Sequence, residues 1–502
     1  MYKLRDYQEK SVEKGLEILN SKKPRKGLLV LPTGAGKSLI VAELARTFDK
    51  PLICLQPSLE LLQQNFKKLI DLGGEATIYS ASMNERNLSH LTFATIGTLI
   101  KAKKELKEMG VKHIIVDEAH LKSKSGSQLH NLVKDVGITH IVGLSASPVY
   151  LEGGMEGSEV KMMTKVRGGM FKSIDYVHQI QDMVKNKFWT ELVYKIVDQD
   201  EALLEINSSG SDYTQQSLVS FYEGNNTENQ IINEVRLLQE EDRKSILVFV
   251  PTIEEAEKVS EKIKGSRFIH SKMPASDREK VVKDFKNLKI PVVINVSVLS
   301  TGFDHPQLDG IVLARSTMSI ALFYQMLGRC CRIHPDKKYA KIVDISNSYN
   351  RFGKLENLNF EYLEGYGWGM YSTDVLLTNF PLKAKNRPTK KSLLTKLKWE
   401  VDKEKESSNE PIFYFGKYKD KSVVQVMKEN KSYLTWLLDQ KDFNWYGEKG
   451  KMLKESIERN LGVYIEKEKP PVKTIGKFEN NRNLIQNYTD SIKTIVDLNN
   501  LW

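Results

Sequence analysis

Cysteine is scarce in this 502-residue chain: there are three, Cys54, Cys330 and Cys331, and two of them are adjacent. That excludes a disulfide framework and a four-cysteine zinc site, and it fits a reducing compartment, so a cytoplasmic setting is expected. Long apolar runs are missing as well. No stretch reaches the roughly 18 consecutive apolar residues of a membrane span. The opening MYKLRDYQEKSVEKGLEILN is charged throughout, without the apolar centre of a signal peptide, so no membrane partner is expected. Histidines are few; His90, His113, His130 and His140 lack ligand spacing, and the paired cysteines read as buried packing residues. No repeat recurs at solenoid spacing.

What is present is a globular composition, 40% hydrophobic and 28% charged, in a length that suggests about three domains. The formal net charge of +11 points to polyanionic partners, nucleic acid first. From Leu4 to about Pro148, short β-branched runs (GLLVL, PLICLQ, LTFATI, HIIVDEA, HIVGLSA) alternate with helical spacing in SLIVAELARTF and SLELLQQNFKKLI. A second alternating block starts near Ser245 with SILVFV, SRFIHS, PVVINVSV, DGIVLAR and AKIVDIS. Such alternation implies parallel βαβ units, hence an α/β protein with two doubly wound lobes.

The expected division is residues 1–150 for the first lobe, 151–240 for a mixed connector and 241–382 for the second lobe. A basic linker at 383–410, a small α+β module at 411–465 and a tail at 466–502 follow. In the connector, IDYVHQIQDMVKNKFW reads as helical and TELVYKIVD as a strand; the tail closes in an amphipathic helical pattern.

The chemistry concentrates at two strand ends. In GLLVLPTGAGKSLIVAEL a strand runs into a glycine-containing loop, and Lys37 and Ser38 open a helix. Successive amides of such a loop face a phosphate, the helix terminus adds its positive dipole end, and the lysine neutralises charge. Ser38 would hold Mg²⁺ through its hydroxyl. Leu31 stands where the strict GxxxxGK[ST] pattern has its first glycine. In HIIVDEAHL a buried strand ends in two acids, where ligands of open α/β sheets collect. Asp117 would bind the same Mg²⁺, and Glu118 would orient or deprotonate an attacking water. The positive charge that phosphoryl transfer requires is offered by FYQMLGRCCRIH. Read as a helix start, it puts Gln325, Arg329 and Arg332 on one face, with the two guanidinium groups as candidate arginine fingers.

The ordered set LRDYQEKSV, LPTGAGKS, LQPSLELLQQN, VDEAH, SASP, LVFVPT, NVSVLSTGFDHP and QMLGRCCR resembles the superfamily 2 helicases of the DEAH-box kind, in particular the RadD-type and UvsW-type repair and branch-migration helicases, some of them from phages. The likeness covers Leu4 to about Asn350. It implies two tandem RecA-like lobes, and an ATP- and Mg²⁺-dependent DNA helicase or translocase working in replication, recombination or repair. By that resemblance Arg5 and Gln8 would recognise adenine; Thr33, Gly34, Ala35, Gly36, Lys37 and Ser38 would bind phosphates and Mg²⁺. Ser145 and Ser147 would couple hydrolysis to lobe movement, although the family more often ends that motif with threonine. Thr301, Gly302 and Asp304 would touch nucleic acid and nucleotide, and Gln325, Arg329 and Arg332 would complete the ATP pocket. Candidate strand contacts are Gln56, Pro57, Ser58, Thr95, Thr252, His270 and Thr301.

The implied partner is single-stranded, forked or branched DNA, with replication or recombination proteins as further partners and a monomer as the simpler assembly. A duplex translocase, an ATP-gated clamp and an RNA helicase are the competing readings. No separate wedge hairpin fits within HPQLDGIVLARSTMSIALFY, so strand separation would draw on the connector, the tail or the C-terminal module. That module, FYFGKYKDKSVVQVMKENKSYLTWLL, resembles the C-terminal domain of exonuclease X-like proteins. Its lysines and tyrosines suit phosphates and stacked bases, while Phe413, Phe415, Trp436 and Leu437 equally suit a mini-core. It lacks the carboxylate set of a nuclease.

Overall fold

Strands in the larger part of the chain form where β-branched runs are covered on both faces by helices. Leu52–Gln56 and His113–Val116 are buried at every position, as expected of a parallel sheet between helical layers. The computed structural model describes residues 3–121, 123, 126–154, 157–208, 210, 212–299, 303–379, 388–394, 411–440 and 447–461. The chain divides into two compact units, Met1–Lys398 and Trp399–Trp502.

The larger unit holds two sheets. The first comprises β1 (Arg25–Val30), β2 (Leu52–Gln56), β3 (Thr77–Ser80), β4 (Glu85–Arg86), β5 (Leu91–Thr95), β6 (His113–Val116) and β7 (His140–Ser145). A hairpin follows, β8 (Val149–Gly154) with β9 (Gly157–Met162), and then β10 (Ser173–Val177). The order β10-β1-β7-β6-β2-β5-β3-β4 puts only β7 between the strand before the lysine loop and the strand before the two acids. Apart from the short β3–β4 pair, its strands are parallel.

The second sheet is built from β11 (Glu191–Ile196), β12 (Ile246–Phe249), β13 (Arg267–His270), β14 (Val292–Val296), β15 (Gly310–Leu313) and β16 (Tyr339–Asp344). All its pairings are parallel, in the order β11-β16-β15-β12-β14-β13. An antiparallel sheet of β17 (Leu358–Leu363), β18 (Gly367–Ser372) and β19 (Val375–Leu376) follows.

The connector departs from its sequence pattern. Ser173–Val177 is a strand on the edge of the first sheet, and the helix is confined to Ile180–Lys185. Pairing with β1 wins over local periodicity, because the edge of β1 offers a ladder that an isolated short helix cannot match. The strand read at TELVYKIVD forms as β11 and pairs with β16, so the connector adds an edge strand to each sheet. The antiparallel sheet is fastened to the connector by Gln179, whose amide nitrogen donates to the Phe360 carbonyl at 2.6 Å and whose amide oxygen accepts from the Phe360 N–H at 3.1 Å. Most of the basic linker and all of the tail, with its helical pattern, lie outside the described residues.

In the smaller unit, the described residues form two helices, Val423–Asp439, kinked at Asn430, and Gly447–Leu461. Phe413, Tyr418, Val423, Val426, Leu434, Leu437, Leu453 and Ile457 make its core.

A candidate nucleotide site between two lobes

The loop after β1 is shaped by glycine. Gly34 and Gly36 have φ of +79° and +80°, a left-handed conformation costly for any residue with a Cβ. Gly36 caps the helix Lys37–Thr47. The loop is held from the N-terminal helix Asp6–Leu19: the Tyr7 hydroxyl and Gln8 Nε2 both donate to the Ala35 carbonyl, at 3.0 and 2.9 Å. Tyr7 stacks on His178, ring centroids 4.0 Å apart, and the Arg5 guanidinium lies 3.9 Å above the Phe188 ring. Arg5, Tyr7, His178 and Phe188, with Tyr176, line a cleft of about 450 Å³ whose flat walls suit a base. The sequence pointed to Arg5 and Gln8; Tyr7, His178 and Phe188 escaped it because two of them come from the connector.

The acids meet the lysine at the open end of β6. Lys37 Nζ lies 3.3 Å from Glu118 Oε1. Asp117 accepts from Asn65 Nδ2 at 2.9 Å and from the Glu118 amide at 2.9 Å. Glu118 itself has φ of +44°, backbone strain of the kind kept at functional sites. Burial, reinforced by Glu118, pushes the Asp117 carboxyl above its ordinary range. Burial alone would raise Glu118 too, but Lys37, His120 and Arg329 outweigh it and hold that carboxyl below its ordinary value. The neighbouring acids are thus driven apart, which suits different tasks.

Ser38 Oγ accepts from Gln64 Nε2 at 3.1 Å. A hydroxyl and a buried, charge-frustrated carboxylate are hard oxygen donors that suit Mg²⁺, with phosphate and water oxygens completing the shell. Among the described residues no group of three or more His, Cys, Asp or Glu gathers to hold a metal by itself.

The second lobe closes directly on this loop. The helix Ile320–Leu327 ends at Gly328, so Arg329 and Arg332 lie beyond it and do not continue its face; the helical reading of this segment is corrected. Arg329 nonetheless stays beside Gln325, donating from Nε to the Gln325 carbonyl at 3.1 Å and from Nη1 to the Phe303 carbonyl at 2.8 Å. Burial, helped by Arg332, lowers the Arg329 guanidinium to about 10, while Glu118 and Asp304 draw the other way. Arg332 pairs with Asp304 at 3.1 Å, and its Cγ would sit 3.8 Å from a Cβ built on Gly34.

Thr33 is gripped from both sides: its amide donates to the Tyr324 hydroxyl at 3.2 Å, and its carbonyl accepts from Trp189 Nε1 at 2.8 Å. Gln325 Nε2 reaches His120 Nε2 at 2.9 Å, and His120 Nδ1 meets Ser145 Oγ at 2.8 Å. Burial holds His120 below its ordinary pKa, while Glu118 nearby draws it the other way. Ser145 Oγ also accepts from the Ser147 amide at 3.1 Å. His120, Tyr324, Trp189, Asn65 and Gln64 are further site residues that the sequence did not single out; VDEAH contained the histidine, but no spacing signal tied it to Gln325.

The proposed strand contacts cluster at the carboxyl ends of strands. Gln56 ends β2, Thr95 ends β5 and His270 ends β13. Gln56 is 1% exposed and its Oε1 accepts from Asn65 at 2.8 Å, so its side chain faces the interior beneath Asp117 and not an outer strand path. Ser58 and Thr252 cap the helices Leu59–Asp71 and Ile253–Lys262, and Pro57 is half-buried beside Ser58. Thr301 and Gly302 lie outside the described residues. Between the helix Leu59–Asp71 and the helix Ala275–Lys286 opens a cleft of about 610 Å³ that includes Gln64, Lys286 and Asp304.

Two parallel-sheet lobes thus face each other, with the lysine and the acids on one and the arginines on the other. Residues 1–150 match the family described as "Type III restriction enzyme, res subunit", and residues 228–334 match "Helicase conserved C-terminal domain". These matches make the chain similar to the superfamily 2 helicases. It is 26% identical over 377 residues to Saccharomyces cerevisiae IRC3, which is named as an ATP-dependent helicase; the match covers 68% of this chain and 51% of that one, so the chain spans about half the yeast protein. To "ATP-dependent DNA helicase uvsW" of Enterobacteria phage T4 it is 23% identical over 389 residues, 71% of each chain.

Its fold is shared with a fragment named as an HsdR subunit of a type I restriction enzyme from Vibrio vulnificus, at a TM-score of 0.51 and 15% identity, over 71% of this chain and 67% of that one. In the smaller unit, residues 413–442 match "Exodeoxyribonuclease X-like C-terminal". Among the described residues, no helix is long and apolar enough to cross a membrane.

Proposed function

We propose that the protein is an ATP- and Mg²⁺-dependent DNA motor that unwinds or branch-migrates forked and branched DNA during replication, recombination or repair. The observation that carries this reading is the meeting of Lys37 and Glu118, 3.3 Å apart on one lobe, with Arg329 of the other lobe close enough to help hold Glu118 ionised. In the proposed site the loop amides from Thr33 to Ser38 and the Lys37 ammonium bind phosphates, and the aromatic cleft beside Arg5 and Gln8 takes the base. Bound Mg²⁺ would neutralise phosphate charge next to Ser38 and Asp117. Glu118, ionised at neutral pH, accepts a proton from the attacking water. Arg329 and Arg332 stabilise charge on the far side. Because these groups come from two lobes, occupancy of the site favours closure and its loss relaxes it, a two-state change that steps a strand lying across both lobes. Backbone contacts would make binding sequence-tolerant and salt-sensitive.

Identity to a phage protein named as a DNA helicase supports DNA over RNA. A second reading, duplex translocation without unwinding, draws on the first lobe's match to a restriction-enzyme subunit family. From Phe303 to Gln325, strand β15 and the opening of the helix Ile320–Leu327 account for the regular structure, with no hairpin between them. ATPase stimulation and strand displacement compared across single-stranded DNA, duplex, fork, four-way junction, triplex and RNA separate the readings. The helicase reading expects ATP-dependent opening of a fork; triplex displacement with an intact fork supports the translocase, and stimulation by RNA alone overturns both.

A further inference from the structure

The smaller unit leaves in water what a fold of its size would be expected to bury. Trp436 is 53% exposed and Tyr414 is 42% exposed, although Leu434 and Leu437, on the same helix, are sealed in the core. Trp436 does not stand alone. Trp436 lies 5.6 Å from Tyr433, and Tyr433 lies 4.7 Å from Tyr418. A Cβ built on Gly416 would meet the Tyr433 hydroxyl at 3.4 Å, which brings the loop carrying Lys417 and Lys419 against the same row of rings.

Charge completes the surface. Lys421 pairs with Glu429 at 2.6 Å, whereas the exposed Lys417 and Lys419 have no carboxylate partner among the described residues. Flat rings beside ammonium groups without a carboxylate partner, one of them, Lys417, 5.5 Å from the centre of the Tyr418 ring, fit a ligand with π faces and phosphates at alternating positions. In a duplex the base faces are covered by stacking, so the rings would find no partner there. An acidic protein surface would answer the lysines and leave the rings unexplained.

We propose that this face of the smaller unit binds single-stranded nucleic acid, with a base stacked on Trp436 and neighbouring phosphates held by Lys417 and Lys419. Such a site would be a second strand-holding point, carried by a unit with its own core and independent of the ATP cycle.

The test uses the full-length protein without nucleotide, a labelled oligothymidylate, and the same strand bearing 5-bromouracil for photo-crosslinking. Replacement of Trp436 by Ala is expected to weaken strand affinity by about fivefold or more, leaving affinity for blunt duplex unchanged. The Lys417→Ala/Lys419→Ala variant, altered only at exposed positions, is expected to flatten the logarithmic salt dependence by about 1.4. Crosslinks are expected in the peptide containing Trp436. Crosslinks confined to the larger unit, or strand affinity and salt slope unchanged in both variants, would overturn the proposal. Since no ATP is present, that failure would leave the motor reading untouched.

Discussion

His120 Nε2 and Gln325 Nε2 lie 2.9 Å apart, one from the loop after β6 and the other from the helix Ile320–Leu327. The contact joins the acid loop of the first lobe to the arginine segment of the second. On its other side His120 reaches Ser145 and lies 3.6 Å from Glu118, so a shift of either lobe is felt at the acid. A double-mutant cycle with His120→Ala and Gln325→Ala, read as DNA-stimulated ATPase, is expected to show a coupling of about 0.5–3 kcal/mol. Additive effects would mean that the two groups touch without communicating.

Lys37 and Glu118 form one pair but should fail differently. Lys37→Ala would remove the proposed charge-assisted phosphate contact, worth about 1.5–3 kcal/mol, so nucleotide affinity is expected to fall by about tenfold or more. Glu118→Gln keeps shape and binding but lacks a proton acceptor, and turnover is expected to drop by about 10²–10⁴-fold. Measuring nucleotide affinity and single-turnover hydrolysis on both variants checks the division; normal turnover in Glu118→Gln would remove its assigned role.

Arg332 sits at the loop through Gly34 and is steered by Asp304. The Arg332→Ala variant should hydrolyse ATP more slowly while binding DNA nearly as well, a split read by ATPase and strand affinity on the same preparation. If DNA affinity falls while the rate per bound complex is unchanged, the arginine serves the strand and not the phosphate.

Acid should destabilise both lobes in the same window. Burial, with His140 adding to it, lowers His113 to about 4, and burial, with Lys286 and Lys337 adding to it, lowers His305 to about 4. Both folded values lie below the unfolded value of about 6.5, so between these limits the unfolded chain binds more protons. Stability is therefore full above about 6.5 and is lost as pH falls towards 4. Calorimetric Tm should decline across that range, less steeply in His113→Gln and His305→Gln; equal slopes in the variants and the parent would assign the decline to other groups.

Much of the fold was legible because its signals are local. A β-branched run bounded by turn residues reads as a buried strand wherever it stands, and β1, β2, β6, β12 and β15 formed at the runs read as strands. The connector was misread at Ser173–Val177 because the deciding force, an open edge on β1, is absent from the segment itself. The segment after Gln325 was misread for a related reason. Its spacing is helical, but the chain turns at Gly328, where a Cβ would stand 2.9 Å from the Thr33 side chain of the other lobe.

By itself the sequence determined the chemical inventory: a lysine opening a helix after a glycine loop, two acids at a strand end, and arginines in a later block. It could do so because each motif needs only its own few residues to present backbone amides, carboxylates or guanidinium groups. Only the tertiary structure decided which groups meet. Trp189 on the Thr33 carbonyl, Tyr324 on its amide, Asn65 beneath Asp117 and Gln325 on His120 all join residues at least 52 positions apart. Contacts of that kind depend on how sheets and helices pack, and packing is a property of the whole chain.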